Sequence, residues 1–157
     1  MVHTSLADIL LATDAVTVEQ LAHAENLRAQ RGLPLAEVLL QQHLITDDTL
    51  LQAQSQQLGL PYWKELPEHE FDVALMTQVP LAFARRHTLV PIRMQNVTAL
   101  VATSHALDVQ PLDDVSMLLK APVEPVLSSE REILGALNRL YEAGGQTAAQ
   151  VIEDLDA

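Results

Sequence analysis

Apolar residues recur twice in the same order along the first third of the chain. SLADILLATDAVTVEQLAHAENLR, from Ser5, lies over PLAEVLLQQHLITDDTLLQAQSQQ, from Pro34, at a constant offset of 29 residues and without a gap. Leu6/Leu35, Leu10/Leu39, Leu11/Leu40, Leu21/Leu50 and Ala24/Ala53 are identical pairs, and Ile9/Val38 and Val16/Ile45 are conservative ones. Self-similarity at a fixed period marks a supersecondary unit that cannot bury its apolar face alone and packs on its copy. Each copy predicts a short helix (Leu6–Leu11, Leu35–Leu40), a tight turn, and a longer helix capped by Thr17 or Thr46. Acidic residues fill the first turn after each cap, and Gln20 stands at the capping-box position.

The pattern then changes. Gly59 and Pro61 close the second copy, and Tyr62-Trp63 follow as an aromatic pair expected to seal a seam between two lobes. A short helix is predicted through Phe71–Met76, and another from Leu81, with Pro80 at its start and Arg85-Arg86 near its end. Two apolar runs, Leu89–Met94 and Ala99–Thr103, flank Asn96 and predict a β-hairpin. A helix over Gln110–Leu119 follows, with Asp113-Asp114 expected as partners of its dipole. Pro122–Leu127 predicts a strand whose prolines restrict it to a sheet edge or to strand ends. Ser129 and Glu132 form a capping box before Ile133, Leu134, Leu137 and Leu140. The expected fold is α+β: two tandem helix-turn-helix repeats over residues 1–60, a small α-β-β-α-β-α lobe over 61–143, and a linker over 144–157 toward a downstream domain.

Composition narrows the function. Nine basic against 21 acidic residues leave a net charge of −12, which argues against a nucleic-acid surface and against direct insertion into an anionic membrane. The absence of cysteine excludes disulfides and thiolate metal sites, and favours a cytoplasmic setting. The five glycines form no phosphate loop around a lysine, so no ATP hydrolysis is expected of this chain. No two of the six histidines stand at i,i+3 or i,i+4, and the serines occupy no nucleophile elbow. No catalytic residue, metal site or cofactor is implied.

The repeat, the Leu58-Gly59-Leu60-Pro61-Tyr62 close, the stretch Val101–Asp108 and the helix Glu132–Tyr141 together resemble the N-terminal domains of type II secretion and type IV pilus assembly ATPases. The resemblance runs from Leu6 to Tyr141. It implies a non-catalytic module that joins a downstream ATPase domain to the cytoplasmic domain of an inner-membrane platform protein, and so lies at the membrane through that partner. The first helical unit, through Leu6, Ile9 and Leu10, is the expected docking surface, because a short helix cannot bury every apolar residue.

Members of that family that bind cyclic di-GMP carry Arg-Leu-Gly, two apolar residues, a Gly, and later a Leu and a Gln in each copy. In this chain the Arg positions hold Ser5 and Pro34, the first Gly positions Ala7 and Ala36, and the second Asp14 and His43. The late Leu becomes Glu25 and Gln54, and the late Gln becomes Arg28 but stays Gln57. A dianionic ring of two guanines needs Arg for charge and stacking, and Gly where backbone approaches closely. The apolar frame is kept and the polar contacts are lost, so cyclic di-GMP is not expected as a ligand. The alternatives are a cyclic-di-GMP sensor, or the same module fused to a membrane glycosyltransferase or a phage-adsorption-type protein.

Overall fold

A computed structural model describes residues 5–141; the expected linker over 144–157 lies outside them. The chain divides into two compact units, Met1–Leu60 and Pro61–Ala157.

In the first unit the repeat becomes four helices: α1 (Leu6–Ala12), α2 (Val18–Arg31), α3 (Leu35–Gln41) and α4 (Asp47–Leu58). Thr17 Oγ1 accepts from Gln20 N at 3.1 Å while Gln20 Oε1 accepts from Thr17 N at 2.9 Å, which completes the expected capping box. Thr46 caps α4 with one bond, from Thr49 N. The helices pair crosswise, α1 on α4 and α2 on α3. The short helix of each copy therefore packs on the long helix of the other, which is why neither copy suffices alone. The core is correspondingly paired: Ile9 and Val38, Leu10 and Leu39, Val16 and Ile45, Ala24 and Ala53 are all buried in one cluster.

In the second unit a 3-10 turn at Glu68–Glu70 and α5 (Val73–Met76) replace the helix expected over Phe71–Met76. Asp72 breaks that run because its carboxylate accepts from Ala74 N and Leu75 N and starts α5 as an N-cap. Then come α6 (Leu81–His87), β1 (Leu89–Gln95), β2 (Thr98–Thr103), α7 (Val109–Leu119) and β3 (Val123–Leu127), closed by α8 over residues 130–141. The unit is α+β, as expected. β1 and β2 are antiparallel, with a register shift between Pro91 and Arg93, and Asn96 turns the hairpin at φ 58°. β3 runs parallel to β2 at the sheet edge, where Pro125 is tolerated. Tyr62 extends that edge by pairing with Leu127, and Trp63 packs on the core of this unit.

Two helix-end readings change. α7 begins at Val109, so Asp113 and Asp114 fall beyond its first turn and cannot serve as dipole partners; Asp114 instead accepts from Gln110 Nε2 at 3.0 Å. Ser129 caps α8 by accepting from Glu132 N, but the Glu132 carboxylate accepts from Leu66 N at 3.0 Å rather than from the Ser129 amide. A distant backbone donor has taken half of a local box. On the same helix, Arg139 Nε donates to Glu68 at 2.7 Å.

Gly135 lies beneath that arginine: a Cβ built there meets Arg139 Nη1 at 3.0 Å. The obstacle is the tip of a flexible, exposed side chain, whereas glycine weakens a helix interior by roughly 0.5–1 kcal/mol relative to alanine. Gly135→Ala is therefore expected to stabilise the protein by about 0.5 kcal/mol, measured by urea unfolding. A net loss would show that Arg139 cannot give way.

Candidate functional site

The positions that read a dinucleotide in the resembling family sit at helix ends and turns of the first unit. Ser5 is the N-cap of α1, and its hydroxyl accepts from Asp8 N at 3.1 Å; Pro34 is the N-cap of α3 and has no side-chain bond to offer. Both Arg positions are thus the first exposed residue of a short helix. Ala7 and Ala36, the second residue of each short helix, lie half-buried.

Asp14 and His43 both adopt left-handed backbone, at φ 56° and 57°. Glycine at these two places serves the chain itself as well as any ligand, since the turn after each short helix requires positive φ. A non-glycine residue there costs roughly 1–2 kcal/mol, less for Asp with its short polar side chain. Asp14→Gly and His43→Gly are accordingly expected to raise stability, each by up to about 1 kcal/mol, in thermal melts of the intact chain. Unchanged or lower melting temperatures would remove this account of the turns.

The C-terminal end of α2 and the start of α3 form an open groove of about 540 Å³, lined by Glu25, Arg28, Ala29, Gly32, Leu33 and Pro34. Three of the substituted positions, Glu25, Arg28 and Pro34, meet in it. Arg28 Nη1 donates to Glu25 Oε2 at 2.9 Å, so the single guanidinium of the groove is already matched by a carboxylate. Both side chains are about half exposed, and such a pair contributes on the order of 0–1 kcal/mol. A second groove, of about 350 Å³, brings His43 and Thr46 together with Thr13 and Ala15 of the other copy. Ser5, Ala7, Asp14, Ala36 and Gln57 line neither groove.

The expected docking residues differ in burial. Ile9 is 5% exposed and Leu10 is fully enclosed, both within the first unit's core. Leu6 alone remains half-buried. The reason is the crosswise pairing: α1 is short, yet α4 covers the face that a lone repeat would leave open. Among the described residues no cluster of histidines and carboxylates could hold a metal ion, and no helix is long and apolar enough to cross a membrane.

Comparison with known proteins gives the same picture of kinship. The MshEN domain family matches residues 58–147, so the match falls mainly on the second unit and not on the repeat. The chain is 24% identical over 150 residues to the type IV pilus assembly ATPase PilB of Myxococcus xanthus, covering 96% of this chain and 26% of PilB. It is 27% identical over 136 residues to bacteriophage adsorption protein B of Escherichia coli K12, covering 87% of this chain and 18% of that protein. The chain thus spans only about a quarter or less of these relatives.

Two solved structures share the fold. MshE with cdg (cyclic di-GMP) superposes with a TM-score of 0.73 at 24% identity, over 88% of this chain and 99% of that one. The N-terminal domain of XpsE superposes with a TM-score of 0.64 at 19% identity, over 88% and 98%. With the matched residues covering more than half of its length, the chain belongs to the MshEN domain family, the kin of the N-terminal domains of type II secretion and type IV pilus ATPases.

Proposed function

We propose that the chain is a non-catalytic docking and regulatory module of a secretion or pilus assembly ATPase. It joins a downstream ATPase domain of the same polypeptide to the cytoplasmic domain of an inner-membrane platform protein, and so works in the cytoplasm at the membrane. The observation that carries this reading is the groove at the α2–α3 junction. The frame of leucines that builds the module is intact, while the ligand-reading positions hold proline and an internally matched Glu25–Arg28 pair. The chain holds the residues that fold the module and lacks most of those that read a dinucleotide in the resembling family. The test is a binding measurement between this chain and the cytoplasmic domain of the platform protein encoded beside its parent ATPase. Saturable binding supports the reading, and its absence at about 100 μM removes it.

A second reading has its own support. MshE was solved with cdg, which counts against the expectation that cyclic di-GMP is not a ligand. That expectation rests on the substitutions alone. The Glu25–Arg28 pair is exposed, so a phosphate could replace the carboxylate at small cost. Titration calorimetry with cyclic di-GMP separates the two readings. No saturable heat up to about 100 μM, weaker than roughly −5.5 kcal/mol, favours docking; low-micromolar binding makes the module a sensor. The likeness to bacteriophage adsorption protein B adds a third setting, the same module in a protein that is not an ATPase. A phosphate-binding loop in the parent polypeptide distinguishes it from the first.

A further inference from the structure

Seven large apolar side chains are exposed among the described residues, and four of them, Leu107, Val109, Met117 and Leu118, lie on α7 and the turn that enters it. The helix hides Pro111, Leu112, Val115 and Leu119. At 100° per residue, Met117 points directly away from that buried stripe, with Val109 and Leu118 on its two flanks. Met117 is 77% exposed, which for an unbranched apolar side chain on an ordered helix is far more than folding requires. Asp113 and Asp114 stand between the apolar residues, and Asp108 stands at the N-cap, against the single Lys120 at the other end. Apolar anchors framed by carboxylates run along about 12 Å of helix, taken as eight residues at 1.5 Å.

Charge decides what such a face can meet. An anionic bilayer would be repelled by three carboxylates. A second copy of the same face would bring those carboxylates together, on chains that each carry a net charge of −12. An amphipathic helix with basic residues beside its apolar stripe satisfies both components. Its apolar side chains would pack on Met117, whose flexible thioether adapts to varied partners, and its cations would face Asp113 and Asp114. We propose that the outer face of α7 is a docking surface for a basic amphipathic helix of a partner protein. The inference rests on the docking reading above and moves its surface from the first unit, where Ile9 and Leu10 are buried, to the second. The area offered is small, in the range of transient contacts.

The test uses the whole chain, isotopically labelled, titrated with a designed amphipathic peptide of leucine and lysine. A control peptide carries glutamate at every lysine position. The expected result is saturable amide shifts confined to residues 107–120, with no response to the control. V109S/M117S alters only exposed side chains and should leave the spectrum of the core unchanged while weakening binding by about tenfold. D113N/D114N should flatten the salt dependence. Equal affinity in V109S/M117S, or shifts spread over residues 5–58, overturns the proposal. So does a concentration-dependent dimer, or sedimentation with anionic vesicles, that V109S/M117S abolishes.

The platform domain separates this inference from the reading beneath it. If that domain binds wild type and V109S/M117S equally, docking stands and the α7 face is wrong. If it binds neither while the leucine-lysine peptide still selects α7, the face stands and its partner is another protein.

Discussion

Replacing Leu10 or Leu39 by alanine is expected to destabilise the helical unit by about 3 kcal/mol each, within the range of roughly 2–5 for buried leucines. Both side chains are fully enclosed, and they occupy the same place in the two copies of the repeat. Truncation removes their transfer energy and leaves a cavity that two short, seven-residue helices can close only in part. Because the two leucines share one core, the double substitution should depart from the sum of the singles by about 0.5 kcal/mol or more. Urea unfolding followed by circular dichroism reads all three variants. A loss below about 1 kcal/mol for Leu10→Ala would mean that α1 is not seated on α4 in solution. The leucines of α1 would then return as candidates for docking.

The second large effect is expected at Tyr141. Its hydroxyl lies 2.7 Å from the Met76 carbonyl and 2.6 Å from that of Val79, tying the end of α8 to the turn after α5. One phenolic proton serves two acceptors; in Tyr141→Phe the Met76 carbonyl keeps the Val79 amide at 3.2 Å, while the Val79 carbonyl loses the phenol's proton, at a cost of about 1 kcal/mol. Burial pushes the phenol up to about 12 from its ordinary 10. The sign follows: the unfolded chain gives up this proton first, so the contribution is complete below pH 10 and is lost as pH rises from about 10 to 12. Trp63 lies on the core of the same unit, and its fluorescence reports the unfolding. Wild type should lose stability across that window more steeply than Tyr141→Phe. Parallel curves for the two proteins would show that the phenol is already solvated.

Much of this fold was legible because its signals are local. Thr17 and Gln20 cap α2 with residues three apart, and Asn96 turns a hairpin between two apolar runs. Pro125 of β3 withholds a donor from the sheet, and that strand lies at the edge. The fold departs from its local signals where a distant group competes. Glu132 had a local amide within reach and took Leu66 N instead. Thr88 and Lys120 end α6 and α7 in left-handed backbone, although neither residue type announces it. The substituted motif positions follow from the family resemblance, yet nothing in their spacing shows that Glu25, Arg28 and Pro34 meet in one groove while Ser5 and Gln57 stay outside it.

The sequence by itself determined the two copies, their helices and caps, and the α+β lobe. These rest on periodicity and on contacts three or four residues apart, which the chain states in order. Only the tertiary structure decided which apolar residues are hidden. Crosswise pairing of the copies buries Ile9 and Leu10 against elements far along the chain, while α7 turns Met117 outward. An amphipathic pattern says that a helix has an apolar face; it does not say whether the protein contains the surface that covers it.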